Sequence, residues 1–135
     1  MTLEELYNLQ KNEVNLKRVQ AEVSGKWLEV FDNPSPEHDF KISIMFPEFT
    51  CVCPRTSHPD FATIIIKYIP EQVCVELKAL KYYLNSFRNE GHFHEQVTNL
   101  IYKDLWSTLH PRKLQVTGEF NVRGGTYPTI TVGEI

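Results

Sequence analysis

The hydrophobic period of the chain changes several times after Trp27, and each change marks an element. Phe40-Lys41-Ile42-Ser43-Ile44-Met45-Phe46 alternates as a half-buried strand does, with a Pro/Asn/Asp loop before it and Pro47 after it. Phe61 to Ile69 is apolar and β-branched and predicts a central strand stopped by Pro70. Val73-Cys74-Val75 continues it or forms a short strand of its own. A helical period then takes over. Leu77, Leu80, Leu84 and Phe87 fall at i, i+3, i+7 and i+10, and Asn89-Glu90-Gly91 supplies the stop. Val97, Leu100, Ile101, Leu105 and Leu109 predict a second helix ending at His110-Pro111. Leu114, Val116, Gly118, Phe120 and Val122 alternate again as a strand. Arg123-Gly124-Gly125 reads as a turn and Tyr127 to Val132 as a return strand, with Pro128 suited to an edge or bulge.

Residues 1–25 carry the weakest pattern. Leu3, Leu6, Leu9, Val14 and Leu16 are spaced irregularly among charges, and read as a loosely packed helix ending near Ser24-Gly25. The remaining order is strand, strand, helix, helix, strand, strand, without repeats. It predicts an α+β domain over residues 26–135, an antiparallel sheet with two helices on one face. Residues 1–25 form an N-terminal extension without an assigned role. A four-stranded sheet has two edges, and pairing them between subunits into an oligomeric ring removes both.

Composition narrows the classes. The 135 residues, 41% hydrophobic and 23% charged, suit one soluble domain rather than a disordered chain. Fourteen Lys and Arg against seventeen Asp and Glu leave a net charge of -3, which argues against nucleic-acid binding by bulk electrostatics. The longest apolar stretch, Phe61 to Ile66, is too short to cross a bilayer. The acidic N-terminus Met1-Thr2-Leu3-Glu4-Glu5 lacks the basic start of a signal peptide. Three cysteines do not make a disulfide framework and point to a reduced, cytoplasmic protein.

Three stretches carry candidate chemistry. Between the first two strands, Pro47 to Phe61 holds Cys51, Cys53, Arg55, His58 and Asp60 on a loop stiffened by prolines. Free cysteines are most often small buried hydrophobes, whereas a loop thiol beside Arg55 and His58 is held partly as the nucleophilic thiolate. Asp60 is either a turn or cap residue or a proton donor returned toward that thiol. In the first helix, Lys78, Lys81, Asn85 and Arg88 form a polar stripe. Such a stripe is a solvated face or, near a helix start, a receiver of phosphates. No GxGxxG or P-loop accompanies it. Between the helices lies His92-Phe93-His94-Glu95. Glu95 is a favourable first-turn acid, or an acceptor of two N–H bonds from a guanine-type ring packed against Phe93 or His94. His92-x-His94 resembles part of a metal site, but the C-x-x-C or H-E-x-x-H spacing of zinc sites is absent.

Taken together, these residues resemble the NADPH-dependent 7-cyano-7-deazaguanine reductases, the QueF-type nitrile reductases of queuosine biosynthesis, in their short form. The cofactor motif of that family stands complete as Glu76-Leu77-Lys78-Ala79-Leu80-Lys81-Tyr82. Its nucleophile loop is similar to Phe49-Thr50-Cys51-Val52-Cys53-Pro54-Arg55-Thr56, followed by Pro59-Asp60-Phe61-Ala62. Ser86-Phe87-Arg88-Asn89 with Phe93-His94-Glu95 resembles the ring-recognition segment, and Val122-Arg123-Gly124-Gly125 the last turn. One departure is Ser57-His58, where the family more usually has Gly and Gln.

The resemblance implies a tunnelling fold assembled into rings with sites at subunit interfaces. It implies that Cys53 attacks the nitrile carbon to give a covalent thioimide and that Asp60 protonates the nitrile nitrogen. Val75, Glu76, Leu77, His94 and Glu95 would hold the deazaguanine, and Lys78, Lys81 and Tyr82 would serve NADPH, with no metal. The implied partners are 7-cyano-7-deazaguanine and further copies of the chain, with no direct role for nucleic acid or membrane. A rival of another class is a non-catalytic purine- or pterin-binding protein of the same fold. A zinc-dependent cyclohydrolase would need ligands that the scattered His and Cys do not supply.

Overall fold

The structure, a computed structural model, describes residues 1–5 and 15–135. The elements are β1 (Lys17–Gln20), β2 (Trp27–Asp32), β3 (Ile42–Val52), β4 (Pro59–Ile69) and β5 (Val73–Val75). Helices α1 (Leu77–Asn85) and α2 (His94–Leu109) follow, then β6 (Lys113–Phe120) and β7 (Thr129–Glu134). The class is α+β, as expected, but there are two antiparallel sheets where one was expected. One has the order β3-β4-β6-β7, the other β1-β2-β5.

The second sheet comes from the segment with the least legible pattern. Lys17–Gln20, read from sequence as the end of a helix, is a strand paired with β2 from Lys17↔Val30 to Gln20↔Trp27. Leu3–Glu5 is helical, and the expected positions Leu6, Leu9 and Val14 lie outside the described residues. Only Val19 of β1 packs on the core, so a four-residue strand gave no alternation to read. Asp104 of α2 ties this region down. Fully buried, it accepts the Ser24 N–H at 3.0 Å and the Tyr83 hydroxyl of α1 at 2.6 Å.

The larger sheet presents an apolar face to the helices. Ala62, Ile64, Ile66 and Tyr68 of β4 and Leu114, Val116 and Phe120 of β6 are buried, with Val97, Ile101 and Leu105 of α2 packed in the same cluster. Each such aliphatic side chain contributes about 1.5–3 kcal/mol by leaving water. Helix α2 rests on β6 and β7, and α1 on β2 and β3. At Gly118 the contact is so close that a Cβ would lie 2.7 Å from Thr98 Oγ1 of α2. Among the described residues no helix is long and apolar enough to cross a membrane.

Strand β3 does not stop at Pro47 as expected. It continues to Val52 through a register shift between Phe46 and Phe49, where three steps along β3 match two along β4. A proline is tolerated because β3 is an edge strand and needs no N–H donor on its outer side. The bulge also reverses parity: Ile42, Ile44 and Phe46 face the core before it, Phe49 and Cys51 after it. At the other end of the sheet β6 stops at Phe120, two residues short of Val122, and β7 lies two residues further along than the sequence suggested. The Phe120 N–H donates to Pro128 O, and Arg123 and Thr126 close the turn between the strands.

Candidate active site

Cys53 begins the loop between β3 and β4. Its N–H donates to His58 O and its carbonyl accepts from Ser57 N–H, both at 2.9 Å, which folds the loop back on itself. The fold requires a left-handed backbone at Ser57, with φ 62°. That is the conformation glycine adopts most easily, so serine fills it here at some strain. The loop then turns polar groups onto the sulfur. The Thr56 side chain, the Thr56 backbone and the Arg55 backbone hydrogen-bond to it and hold the Cys53 thiol below its ordinary pKa. Cys51, two residues earlier and fully buried, goes the other way. Burial first, then the charges of Asp60 and Cys53, push its thiol up to about 11. Burial also raises Cys74. Of the three free thiols, only Cys53 is shifted toward its thiolate form.

Asp60, opposite Cys51 in the β3–β4 register, is 6% exposed. A buried carboxyl needs partners, and it has two. Arg123 Nε lies 3.0 Å from Oδ1, and His94 Nε2 lies 3.3 Å from Oδ2. Each partner is itself held. Arg123 also donates to Pro59 O at 2.5 Å, on a turn whose Gly124 and Gly125 take φ 60° and 83°. The His94 ring stacks on Phe120 with centroids 3.9 Å apart. The segment before α2 is stitched to the end of β3 through Val52, whose N–H donates to Glu90 O while its carbonyl accepts from His92 N–H. The result is a cleft of about 130 Å³ whose walls include Cys53, Asp60, His92, His94, Glu95 and Arg123.

Four of the expected site residues, Cys53, Asp60, His94 and Glu95, therefore meet in one cleft. The others lie elsewhere. Val75, Glu76 and Leu77 line a larger, apolar cleft of about 460 Å³ with Ile42, Ile44 and Tyr68. Ile42 opens β3 and Cys53 follows its end, so along the strand the two clefts are on the order of 30 Å apart. Glu76 is already engaged: its side chain accepts from the N–H groups of Lys78 and Ala79 and caps α1. Lys78 and Tyr82 border a third cleft of about 340 Å³, and Lys81 is exposed on the same helix. Because Glu76 occupies the first amides of α1, the two lysine side chains are the groups left to receive phosphates there. Sequence reasoning did not assign Arg123, His92 or Phe120 to the site. Arg123 had a signal in its Gly-Gly turn, whereas the stacking partner Phe120 was legible only as a strand residue.

The NADPH-dependent 7-cyano-7-deazaguanine reductase of Thermomicrobium roseum is 58% identical over 107 residues, which cover 79% of this chain and 84% of that protein. The enzymes of the same name from Nitrosococcus oceani and Thiobacillus denitrificans are 56% and 55% identical over 103 and 106 residues. These matches cover 76% and 78% of this chain, and 80% and 76% of the relatives. The chain belongs to the 7-cyano-7-deazaguanine reductase family. The family described as QueF-like protein also matches by its sequence model, over residues 59–134. In fold, the reductase chain is similar to the archaeosine synthase QueF-Like in its apo form. The TM-score is 0.59 at 19% identity, over 70% of this chain and 90% of that one. The family match takes in Asp60, the motif of α1 and Arg123, and begins just after the Cys53 loop.

Proposed function

We propose that this chain uses NADPH to reduce the nitrile of 7-cyano-7-deazaguanine to a primary amine, through a covalent thioimide on Cys53. The observation that carries the reading is the convergence of Cys53, Asp60, His94 and Glu95 in one cleft of a chain 58% identical to a reductase of that name. A nitrile carbon accepts hydride poorly. Addition of the Cys53 thiolate converts it to a thioimide, and protonation of its nitrogen by Asp60 makes it a better acceptor. The loop hydrogen bonds that lower the Cys53 thiol favour its thiolate form as it adds to the nitrile. Arg123 and His94 fix the Asp60 carboxyl against the cleft, so the proton is delivered at one place. The exposed Glu95 carboxylate at the cleft wall suits the N–H edge of a guanine-type ring.

NADPH supplies hydride when bound. The residues fit such a group: Lys78 and Lys81 are exposed cations and Tyr82 is 66% exposed, a free aromatic face beside them. The deazaguanine residues Val75, Glu76 and Leu77 cannot reach a ligand on Cys53 of the same copy across β3. We therefore place the complete site between copies of the chain, the apolar cleft of one facing the Cys53 cleft of the next in a closed ring. The edge strands β3 and β7 provide the surfaces for such closure. Three free thiols and a need for reduced nicotinamide fit a cytoplasmic location.

The test is NADPH oxidation on adding 7-cyano-7-deazaguanine, compared between the parent and Cys53→Ala. Two NADPH consumed per nitrile by the parent and none by the variant support both reaction and nucleophile. No oxidation by a folded, assembled parent overturns the reductase reading.

A further inference from the structure

Reduction of a nitrile to an amine takes up two hydrides and two protons. Attack by the Cys53 thiol is proton-neutral, because the S–H proton ends on the thioimide nitrogen. Both net protons are needed afterwards: one on nitrogen as the C=N bond is first reduced, and one to restore the thiol after the C–S bond breaks. Asp60 is 6% exposed and both its oxygens are engaged, by Arg123 and His94, so it has little direct contact with bulk water. The cleft needs a second route for protons, and one candidate stands in its wall.

His92 borders two clefts at once. On one side it faces the Cys53 cleft, which it shares with Asp60, His94, Glu95 and Arg123. On the other it borders an outer, open cleft of about 350 Å³ with Gln96, Asn99 and Lys103. The ring is held from outside the site. Its Nε2 lies 3.0 Å from Glu90 Oε1, and the second carboxylate oxygen of Glu90 pairs with Lys26 Nζ at 2.5 Å. Burial pushes the Glu90 carboxyl up, but the hydrogen bonds from His92 and Lys26 outweigh it and hold the group below its ordinary value. Glu90 is thus an acceptor, Nε2–H donates to it, and Nδ1 is the nitrogen left to take and give a proton. The Phe87 ring packs edge-on to the imidazole, and Lys26 lies over the same ring. Nothing in the covalent step uses this arrangement.

We propose that His92, positioned by Glu90 and Lys26, relays protons from solvent into the Cys53 cleft after the thioimide has formed. The inference rests on the nitrile-reductase reading and adds to it a residue that acts only on turnover. The test compares His92→Gln and Glu90→Gln with the parent in two assays. Intact-mass spectrometry follows adduct formation from the nitrile without NADPH, and NADPH oxidation follows turnover across pH. For His92→Gln the expected result is adduct formation at the parental rate and a KM within about twofold of the parent. Its kcat should be about 100-fold lower, restored in part by added imidazole. Glu90→Gln is expected to shift the pH profile of kcat with a smaller loss, since the ring keeps its proton but loses a charged partner.

A kcat for His92→Gln within about threefold of the parent overturns the relay. So does an equal loss in both assays without imidazole rescue, which is what a purely structural role produces. A parent that forms no adduct and consumes no NADPH overturns the reading of the site, and the relay with it. Thermal melts on each variant separate misfolding from these outcomes, and His92→Asn provides a second substitution should Gln disturb the loop.

Discussion

Cys53→Ala and Leu77→Glu are each expected to abolish turnover alone, and to restore it when the two inactive chains are assembled together. Strand β3 separates the two residues. Leu77 borders the apolar cleft at the Ile42 end of that strand, and Cys53 follows the other end, on the order of 30 Å away. One planar bicyclic ligand cannot span that distance, so a site that uses both ends draws them from two copies. Leu77 is 52% exposed at the first position of α1, where an added carboxylate is compatible with the helix dipole. Leu77→Glu therefore keeps the fold while putting a charge into an apolar wall. In a random one-to-one assembly, an intact site needs an unmodified Cys53 from one copy and an unmodified Leu77 from its neighbour. Half the copies supply each, so about one quarter of parental turnover returns. The assay is NADPH oxidation by co-expressed, doubly tagged assemblies. No recovery in assemblies shown by their tags to be mixed refutes the interfacial site, because sites within single copies cannot be repaired by mixing.

Other predictions follow from single groups. Asp104→Ala removes the acceptor of the Tyr83 hydroxyl and the Ser24 N–H, and is expected to cost about 3 kcal/mol in denaturant unfolding, with Asp104→Asn milder. Burial first, and then the Asp104 carboxylate, raise Tyr83 well above its ordinary value, which favours the hydroxyl as the donor of this bond. A loss below about 1 kcal/mol for Asp104→Ala contradicts this account. Thiol labelling tests the electrostatics of the loop. As pH rises, iodoacetamide should modify Cys53 first, since its thiol is lowered while Cys51 is raised to about 11 and Cys74 is also raised. Peptide mass spectrometry that finds Cys51 or Cys74 modified earlier refutes that order.

Much of the fold could be read from periodicity, where the elements are long and one face is buried. Leu80 and Leu84 of α1, Phe87 just past its end, and Val97, Ile101 and Leu105 of α2 are buried as their spacing predicts, as are the alternate residues of β4. Leu77 of the same stripe, by contrast, is 52% exposed at the helix start. Three features were hidden for physical reasons. β1 is short and mostly exposed, so it carries no alternation and its strand identity comes from pairing with β2. Pro47 looked like a stop, yet an edge strand tolerates it and the adjacent bulge absorbs the extra residue. The second sheet depends on β5 returning to β2 across more than forty residues of chain, a long-range contact that no local pattern encodes.

The site was legible to a different degree. Loop composition around Cys53 and Asp60 marked chemistry, and the structure brings them together with His94 and Glu95. The partners that hold Asp60 came from far along the chain: Arg123 from the β6–β7 turn, and Phe120 as the plate beneath His94. Their types were visible in sequence, but not their convergence. The separation of Val75, Glu76 and Leu77 from Cys53 was hidden too, because two motifs can be close in sequence terms and still sit at opposite ends of an eleven-residue strand.

The most direct test of the central claim is the mass of the intact chain after incubation with 7-cyano-7-deazaguanine in the absence of NADPH. The account predicts one adduct per chain with the mass of the whole nitrile, located on Cys53, absent from Cys53→Ala and discharged as amine once NADPH is added. Turnover by the parent with no adduct at any time, or an adduct that persists in Cys53→Ala, contradicts covalent catalysis by this thiol.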